Sequence, residues 1–479
     1  MAKMIIGGKR VDSSDKAVIE VTNPATGDVI DTVPAATKTD VDRAVHEAIV
    51  GQKAWARVPL HKRGDVLNTF VDLALAHKEE LARILSMETG KPIIEARIEI
   101  DNIPTLFRGF VEKAKHLYGS VIPNGTEPGQ EHTIQFTVRE PVGVVACIIP
   151  FNFPCDLFDQ KVAPSLIMGN AAIVKPSTDN PLTLIRLCEL LMEAGVPDGA
   201  IEIVTGRGST VGSWLCSHPD LGLISLTGST SVGIETAGVA AKHLTPCTLE
   251  LGGNDAFIIL EDADVDLAVE EVMVGRMYNT GQVCCASKRF IVHNSRKEEF
   301  TKKLVDRLGT LVQGNPRDER TTIGCLISEK AAIGVEEQVN KTVAQGARIL
   351  LGGKRRGAFY DPTVLADVRP EMDVAKDMEI FGPVVPIIGF ETTEEAVKIA
   401  NASVFGLSGC VFSRNINEAM KVASYLECGG VVINGSSFFR SCEMPFGGYK
   451  MSGIGNEGIM CSLEEVTETK TIVLKNVLT

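Results

Sequence analysis

Short apolar runs lying between segments of helical periodicity constrain the fold of this chain more than any other feature. Five runs between residues 142 and 260 are rich in Val and Ile and do not alternate with polar residues: VGVVACIIP, AAIVKPS, AIEIVTG, LGLISLTGS and DAFIIL. Strands of this kind are buried on both faces, as in a parallel sheet covered by helices. A second series, KRFIVH, GPVVPIIGF, GCVFS and GVVIN, begins at Lys288. The sequence therefore predicts an α/β fold with two α/β domains.

Helical patterns dominate the first third of the chain. Apolar residues recur at helical spacing from position 41 to 49, after Thr39 as a candidate N-cap. A longer helical region is predicted from about residue 63 to 88, and Gly90 with Pro92 should end it.

Two segments fit neither series of strands. They are residues 119–137, which are polar and strand-like toward their end, and the tail TKTIVLKNVLT. We expect both to form edge strands that pair with another subunit.

Charge and composition exclude several classes of protein. The 479 residues carry a formal net charge of −13, and 44% of them are hydrophobic. Such a chain is typical of a soluble globular protein and lacks the excess of Lys and Arg that nucleic-acid binding requires. The apolar runs are too short to span a bilayer and the N-terminus does not resemble a secretory signal, so a cytoplasmic protein is expected. The twelve cysteines are scattered along the chain, which predicts reduced thiols.

Two adjacent cysteines, Cys284 and Cys285, lie in the stretch YNTGQVCCASKR. The absence of any C-x-x-C or H-x-x-x-H pattern argues against a metal site, and none is predicted. A disulfide between neighbours requires strained geometry. Two alternatives remain: two buried, inert thiols, or one reactive thiol beside a bystander.

A reactive cysteine needs assistance, because an ordinary thiol is only about 3% ionised at pH 7. A base and a donor to an oxyanion are the expected partners. Glu250 precedes Gly252 and Gly253, where the backbone can approach a ligand closely, and Asn152 lies in a proline-flanked turn after an apolar run. Each of these patterns is more often a plain turn.

Two further patterns suggest a phosphate-bearing ligand. Lys175 ends a buried run, and LTGSTSVG leaves another run through Gly228 and reaches Gly233 at a helix start. A lysine at the end of a strand is usually a solvated charge. LTGSTSVG also departs from G-x-G-x-x-G, so the usual dinucleotide fingerprint is absent.

Taken together and in order, these patterns resemble the aldehyde dehydrogenase superfamily over nearly the whole chain. The motifs that carry the resemblance are ETGKP, PVGVVACIIPFNFP, NAAIVKPS, LTGSTSVG, ELGGND, GQVCCA, EIFGPV and PFGGYKMSG. The resemblance implies a Rossmann-type cofactor domain, an α/β catalytic domain and a small β element for oligomerisation, as a homotetramer or homodimer. The implied ranges are 1–118 with 138–249 for the cofactor domain, 250–450 for the catalytic domain and 119–137 with 451–479 for the oligomerisation element.

The resemblance also implies roles for the candidate residues. In the family's G-Q-x-C pattern the fourth residue is the nucleophile, which is Cys284, and Cys285 is its neighbour. Its thiolate would attack an aldehyde to give a thiohemiacetal whose oxyanion is held by the Asn152 amide and the Cys284 N–H. Hydride transfer to a nicotinamide would leave a thioester, and Glu250 would activate the water that hydrolyses it.

The implied cofactor is NAD or NADP. By the same resemblance, Lys175 would bind the adenosine ribose, Glu379 the nicotinamide ribose, and Phe381 would pack near the nicotinamide. The whole implied set is Lys175, Ser177, Thr178, Gly228, Ser229, Gly233, Glu379 and Phe381. NAD-preferring members often carry Glu where this chain has Thr178, and that Glu repels a 2′-phosphate, so we expect NADP to be accepted.

The substrate is less constrained than the reaction. Phe151 stands where the family more often has Trp, which resembles lactaldehyde, semialdehyde and non-phosphorylating glyceraldehyde-phosphate branches and favours a small polar aldehyde. Candidate substrate residues are Arg108, Arg440 and Ser441, because an arginine can clamp a carboxylate or phosphate. Plain surface charges are the alternative. A CoA-acylating semialdehyde dehydrogenase and a non-catalytic protein that keeps the fold are the competing functions.

The assignment of Cys284 predicts a clear difference between the two neighbours. Cys284→Ala should abolish aldehyde-dependent reduction of cofactor, while Cys285→Ala should retain most of it, because only the first thiol forms the covalent intermediate. Steady-state rates of both purified variants check this. The opposite pattern would assign the chemistry to Cys285.

Overall fold

The computed structural model describes residues 1–477. Within them the chain forms fourteen α-helices. They are α1 Lys38–Trp55, α2 Leu60–Ala76, α3 Lys78–Thr89, α4 Ile93–Ala114, α5 Pro154–Ile167, α6 Leu182–Ala194, α7 Ser213–Cys216, α8 Thr230–Ala240, α9 Val265–Val272, α10 Asn294–Leu308, α11 Glu329–Ala344, α12 Thr393–Asn401, α13 Ile416–Tyr425 and α14 Ile459–Glu465. No helix of the described part is both long and apolar enough to cross a bilayer.

The strands are short and build three larger sheets and three two-stranded ones. They are β1 Met4–Ile6, β2 Lys9–Val11, β3 Val18–Thr22, β4 Val29–Pro34, β5 Val121–Ile122, β6 Thr133–Pro141, β7 Val144–Ile148, β8 Ala171–Lys175, β9 Ile201–Ile203, β10 Leu223–Thr227, β11 Cys247–Glu250, β12 Asp255–Ile259, β13 Ser287–His293, β14 Arg348–Leu351, β15 Arg355–Arg356, β16 Phe359–Tyr360, β17 Thr363–Val368, β18 Val384–Phe390, β19 Phe405–Gly406, β20 Ser408–Phe412, β21 Gly430–Ile433, β22 Tyr449–Lys450, β23 Gly453–Ile454 and β24 Thr467–Lys475.

The first sheet has the strand order β2-β1-β9-β8-β7-β10-β11-β23. Its five central strands, β9 to β11 in that order, are parallel. Strands β8 and β10 are buried along their whole length, as their Val and Ile content predicts. Lys175 ends β8, Glu250 ends β11, and Asn152 follows β7 after four residues. All three therefore lie at the carboxyl edge of one parallel sheet, where α/β proteins bind ligands.

The second sheet has the order β14-β17-β18-β13-β12-β20-β21, and only β14 pairs antiparallel with its neighbour. The chain crosses from β11 of the first sheet to β12 of the second through residues 251–254. Cys284 precedes β13, which pairs with β12 in parallel. The predicted α/β fold with two parallel-sheet units is confirmed.

The small third sheet has the order β24-β6-β5, and β24 pairs with β6 over nine residues, from Thr467 opposite Pro141 to Lys475 opposite Thr133. The two segments expected to be edge strands thus pair with each other. Not all of the range 451–479 belongs to this sheet, because β23 pairs with β11 of the first sheet and α14 packs on α4 and α5. Residues 478–479 lie outside the described residues.

The N-terminal helices differ in detail from the sequence pattern. Helix α1 begins after Thr37, not Thr39, because Thr37 and Asp40 form a reciprocal capping box. The helical region expected from residue 63 to 88 is two helices, α2 and α3. Gly90 ends α3 in the left-handed conformation, with φ 76°.

Candidate active site

A turn with unusual backbone geometry leads into Cys284. Asn279, Thr280 and Gly281 have φ angles of 49°, 55° and 76°, and the left-handed region is costly for a β-branched residue such as Thr280. Gln282 supports the turn: its Nε2 donates to the Asn279 carbonyl at 3.1 Å and its Oε1 accepts from the backbone of a distant loop at 2.8 Å. The strained turn is therefore held in one conformation and fixes the direction of the chain at Cys284.

The two adjacent cysteines have different surroundings. Both border a cavity of about 480 Å³, but Cys284 is half-buried while Cys285 is buried and packs with Val283, Leu407 and Phe446. A hydrogen bond with the Cys285 thiol and burial together raise the pKa of Cys284 well above its ordinary value. In the resting protein Cys284 is therefore a neutral thiol that needs a base.

Glu250 lies beside that thiol. Its carboxyl oxygens are both buried and have no hydrogen-bond partner among the described residues. Burial, followed by the proximity of Cys284, raises the pKa of Glu250 well above its ordinary value. A carboxylate in such a position has a strong affinity for a proton.

The glycine pair after Glu250 allows close approach of protein groups. A Cβ on Gly252 would lie 2.5 Å from Glu379 Oε2, and a Cβ on Gly253 would lie 2.9 Å from the Cys284 carbonyl oxygen. The sequence indicated that a ligand could approach this backbone closely. In the structure, the groups that approach it are the Glu379 side chain and the Cys284 carbonyl.

The backbone of Asn152 is anchored while its side chain is not. Its carbonyl accepts from Lys91 Nζ at 2.9 Å and from Asn279 Nδ2 at 2.8 Å, which ties it to the turn before Cys284. Lys91 also forms a buried ion pair with Glu99. Asn152 borders the cavity, and none of its hydrogen bonds within residues 1–477 uses the side-chain amide. That amide is therefore available to a ligand.

Lys91 was missed by sequence reasoning, although it stands in the quoted ETGKP. In the sequence, Lys91 is a cation that follows the end of a helix. A charge at such a place is normally solvated, so the pattern did not indicate a buried residue. Its burial depends on Glu99 and on Phe153, whose ring centroid is 4.1 Å from Nζ, and neither contact is visible in a local pattern.

Three candidate cofactor residues lie together after β8. Lys175 is buried, its Nζ donates to the Pro176 carbonyl at 2.8 Å, and burial lowers its pKa to about 8. Thr178 Oγ1 donates to the Gly206 carbonyl at 3.2 Å, and Ser177 Oγ accepts from the Asp179 N–H at 3.3 Å. Asp179, a carboxylate that sequence reasoning missed, sits directly after Thr178 and interacts with Lys175.

The stretch from Gly228 to Gly233 forms the start of α8. Ser229 caps the helix, and its side chain accepts from the Val232 N–H at 3.4 Å. Gly233 is required for packing, since a Cβ there would lie 2.5 Å from Leu251 Cδ2. The first turn of α8 is largely exposed and presents free N–H groups, as a phosphate would require.

Glu379 is linked to Cys284 through Lys288, and Phe381 contacts Phe151. Lys288 Nζ is 3.1 Å from Glu379 Oε1 and donates to the Cys284 carbonyl at 2.5 Å. The Phe381 ring packs edge-on against Phe151, with centroids 5.9 Å apart. Lys288 thereby fixes Glu379 relative to the reactive cysteine, a role that its position in the KRFIVH strand did not indicate.

Only one of the three candidate substrate residues borders the cavity. Arg440 does so, whereas Arg108 is half-exposed and pairs with Asp72 at 2.8 Å on the surface. Ser441 is exposed and does not line the cavity. The face of α4 that packs on α5 consists of the apolar residues of α4 and Asn102, so Arg108 points outward. The structure therefore does not bring Arg108 or Ser441 to the site.

Arg440 belongs to a buried ion triad. Its Nη2 lies 2.9 Å from Glu457 Oε2, and Lys161 Nζ lies 2.7 Å from the other carboxylate oxygen. Burial alone would raise the pKa of Glu457, but Lys161 and Arg440 together hold it at about 2. The positive charge of Arg440 is therefore already engaged by a carboxylate.

A thiol and a free amide therefore border one cavity, a buried carboxyl group lies beside the thiol, and Lys175 lies at the carboxyl edge of the same parallel sheet as Glu250. The sequence model of the aldehyde dehydrogenase family matches residues 11–472. The chain is 38% identical to a 3,6-anhydro-α-L-galactose dehydrogenase of Streptomyces coelicolor, over 99% of this chain and 96% of that protein. It is 39% identical to a 3-sulfolactaldehyde dehydrogenase of Priestia aryabhattai, over 98% and 97%.

Solved structures agree with the sequence relatives. The betaine aldehyde dehydrogenase of Staphylococcus aureus, in complex with NAD⁺, superposes with a TM-score of 0.95 at 37% identity, covering 100% of this chain and 95% of that one. This chain therefore belongs to the aldehyde dehydrogenase family and is an oxidoreductase that acts on aldehydes. The resemblance given by the motifs is confirmed.

The ion triad predicts a pH-dependent stability. Glu457→Gln should lower the free energy of unfolding by about 3 kcal/mol at pH 6, because two buried cations lose their anion. Since the folded pKa lies below the ordinary value of 4.5, this contribution is complete above about pH 4.5 and is lost as the pH falls toward 2.

Urea midpoints of wild type and variant between pH 6 and 3 measure the effect, and the gap should narrow with acidity. Glu79→Gln, which removes an exposed carboxylate, serves as the control and should change little at any pH. A gap that is independent of pH would contradict the assigned pKa.

Proposed function

We propose that this protein oxidises a small polar aldehyde to its carboxylic acid with NAD or NADP as the acceptor. The observation that carries the proposal is the cavity at Cys284, bordered by the free amide of Asn152, with the buried carboxyl group of Glu250 beside the thiol. The relatives at 38–39% identity are dehydrogenases of a sugar-derived aldehyde and of a sulfonated lactaldehyde by name, which supports a polar substrate.

Cys284 forms the covalent bond. Its proton is released to solvent, the sulfur attacks the carbonyl carbon as the thiolate, and the carbonyl oxygen becomes an oxyanion. The Asn152 amide, which has no other partner within residues 1–477, and the Cys284 N–H donate to that oxyanion. One preorganised donor of this kind is worth roughly a hundred- to a thousandfold in rate.

The residues along the nucleotide edge suit a dinucleotide. Lys175 provides a buried cation, the exposed first turn of α8 provides N–H donors, and Glu379 is an acceptor held in place by Lys288. NAD or NADP, when bound, supplies the hydride acceptor that the side chains lack. Phe381 and Phe151 would shield that region from water.

Glu250 serves the hydrolytic half of the reaction. Once ionised, a buried carboxylate with a raised pKa is a stronger base than an exposed one. In that form Glu250 takes a proton from water, and the hydroxide so formed attacks the acyl carbon of the Cys284 thioester. The carbon–sulfur bond then breaks and releases the acid with the thiolate. The position of Glu250 favours water over CoA as the acceptor of the acyl group. The Cys284 thiol and the free Asn152 amide at one cavity argue against a non-catalytic protein.

The test of the proposed function is cofactor reduction by purified protein over a panel of aldehydes, with products identified in the presence and absence of CoA. A carboxylic acid product in both conditions supports the proposal. An acyl-CoA product would favour the acylating alternative, and no reduction with any aldehyde would favour a non-catalytic protein.

Glu250→Gln should separate the two halves of the reaction. Cys284 would still accept the aldehyde, so a burst of reduced cofactor near one equivalent should remain while steady turnover falls at least tenfold. Stopped-flow absorbance of the reduced cofactor measures both phases, with the exposed-residue variant Glu79→Gln as control. Normal steady turnover would remove Glu250 from the mechanism.

NADP is accepted in addition to NAD. Thr178 carries no charge at the position where a carboxylate would repel a 2′-phosphate, and Lys175 supplies a nearby cation. Asp179, the next residue, opposes this preference in part. Because Lys175 attracts a 2′-phosphate and Asp179 repels it, we expect the protein to use both NAD and NADP.

A pair of variants tests the cofactor preference. Thr178→Glu should lower kcat/KM for NADP about ten- to hundredfold relative to NAD, because like charges repel. Asp179→Asn should shift the ratio the other way. The ratio of kcat/KM for the two cofactors is the measurement, and strict NAD dependence of the wild type would mean that another group excludes the phosphate.

The protein assembles as a homodimer or homotetramer in the cytoplasm. The edge strand β24 is largely exposed, with Val473 48% and Leu474 43% accessible. An exposed edge with apolar side chains favours pairing with a second copy. Sedimentation of the purified chain measures the state.

A further inference from the structure

The cavity at Cys284 is larger than a three-carbon aldehyde needs. Its volume of about 480 Å³ lies within the range of about 300–1,000 Å³ that is usual for small-molecule sites. The nucleotide-edge residues Lys175, Thr178 and Glu379 do not line it, so this volume belongs to the substrate side. A chain longer than three carbons with polar substituents fits this volume.

Two helices place polar side chains on the wall of this cavity. Asp156 and Gln160 are four residues apart on α5 and therefore share one face. Asn102 and Thr105, three residues apart on α4, face the same space. These four side chains offer both donors and acceptors of hydrogen bonds.

One of these groups lacks a partner. Gln160 is 5% exposed, and its Oε1 is buried without a hydrogen bond among the described residues. An amide oxygen in this state carries a desolvation cost that a bound donor would relieve. Asp156 also lines the cavity, and its carboxyl group accepts from Asn102 Nδ2 at 3.1 and 3.3 Å and has further lone pairs.

Within residues 1–477, Arg440 is the one cation that lines the cavity, and it is already paired with Glu457. The Glu271 carboxylate accepts from the Ser436 N–H at 2.8 Å and forms no ion pair among the described residues. Asp156 interacts with Arg440, and burial followed by the nearby Glu99 raises its pKa to about 7. A substrate anion would therefore meet the carboxyl groups of Asp156 and Glu271 and would find no free cation on the wall. Neutral groups that both donate and accept fit this wall.

We propose that the substrate is an uncharged polyhydroxylated aldehyde of about four to six carbons, whose hydroxyl groups bind Gln160 and Asp156 on α5 and Asn102 on α4. This inference rests on the proposed function and names its substrate class. Each hydroxyl donates to the Gln160 or Asp156 oxygens and accepts from an amide N–H, while C1 carries the aldehyde to Cys284. Semialdehydes and phosphorylated aldehydes are then the poorer substrates.

Four-carbon aldehydes provide a matched test. kcat/KM is measured for erythrose and threose, butanal, succinic semialdehyde and 4-aminobutanal, each referred to its free aldehyde concentration. We expect one tetrose to exceed butanal and both charged aldehydes at least tenfold. Equal or faster oxidation of butanal or of a charged aldehyde overturns this inference and leaves the proposed function intact. No reduction with any of them defeats the proposed function itself.

Variants on α5 test the named residues. Gln160→Met and Asp156→Leu should each lower the ratio of kcat/KM for the tetrose to that for butanal roughly tenfold, chiefly through KM, because one hydrogen-bonding group is lost. Asp156→Asn, which keeps the hydrogen bonding, should retain most of the ratio. Asp101→Asn, exposed on α4 beside Asn102, is the control. If the ratio of kcat/KM for the tetrose to that for butanal is unchanged in both Gln160→Met and Asp156→Leu, these residues do not bind the substrate hydroxyls. If a variant does not fold, the wild-type panel alone decides the substrate class.

Discussion

The closeness of the two large sheets at Gly252 and Gly253 is the constraint on which the site depends. Glu250 ends the first sheet, and Cys284 lies just before β13 of the second. The chain between the sheets passes so near to Glu379 and to the Cys284 carbonyl that a Cβ at either glycine would overlap them. Without side chains there, a carboxyl group on one sheet and a thiol from the other become neighbours.

Buried cations secure the reactive residues through their backbones. Lys91 holds the Asn152 carbonyl, and Lys288 holds the Cys284 carbonyl. Each cation is paired with its own carboxylate, Glu99 or Glu379, so that no charge is left uncompensated. The side chains of Asn152 and Cys284 therefore remain free for chemistry while their positions are fixed, which is the condition for a preorganised site.

Two different parts of the fold build the site. The nucleotide edge comes from the ends of parallel strands and from α8, whereas the wall of the cavity comes largely from α4 and α5. Residues of the helices can change without moving the strand ends. The proposed chemistry at Cys284 is thus compatible with a change of substrate through positions such as Asp156 and Gln160.

The sequence determined the fold class and the family, because strand burial follows from local composition and the ordered motifs span the whole chain, and it named the candidate reactive residues. It also placed Lys175 at the end of a strand and Asn152 in the turn after another, and parallel pairing gathers both at one edge with Glu250, which ends β11. It misplaced the cap of α1, since Thr37 gains Asp40 as a partner only once the helix forms. The outward direction of Arg108, the engagement of Arg440 and the burial of Lys91 were decided by tertiary structure. Each of these three residues is fixed by a partner outside its own motif: Asp72, Glu457 or Glu99. Hydrophobic periodicity identifies which face of a helix is buried, but it does not identify the residues that pack against that face.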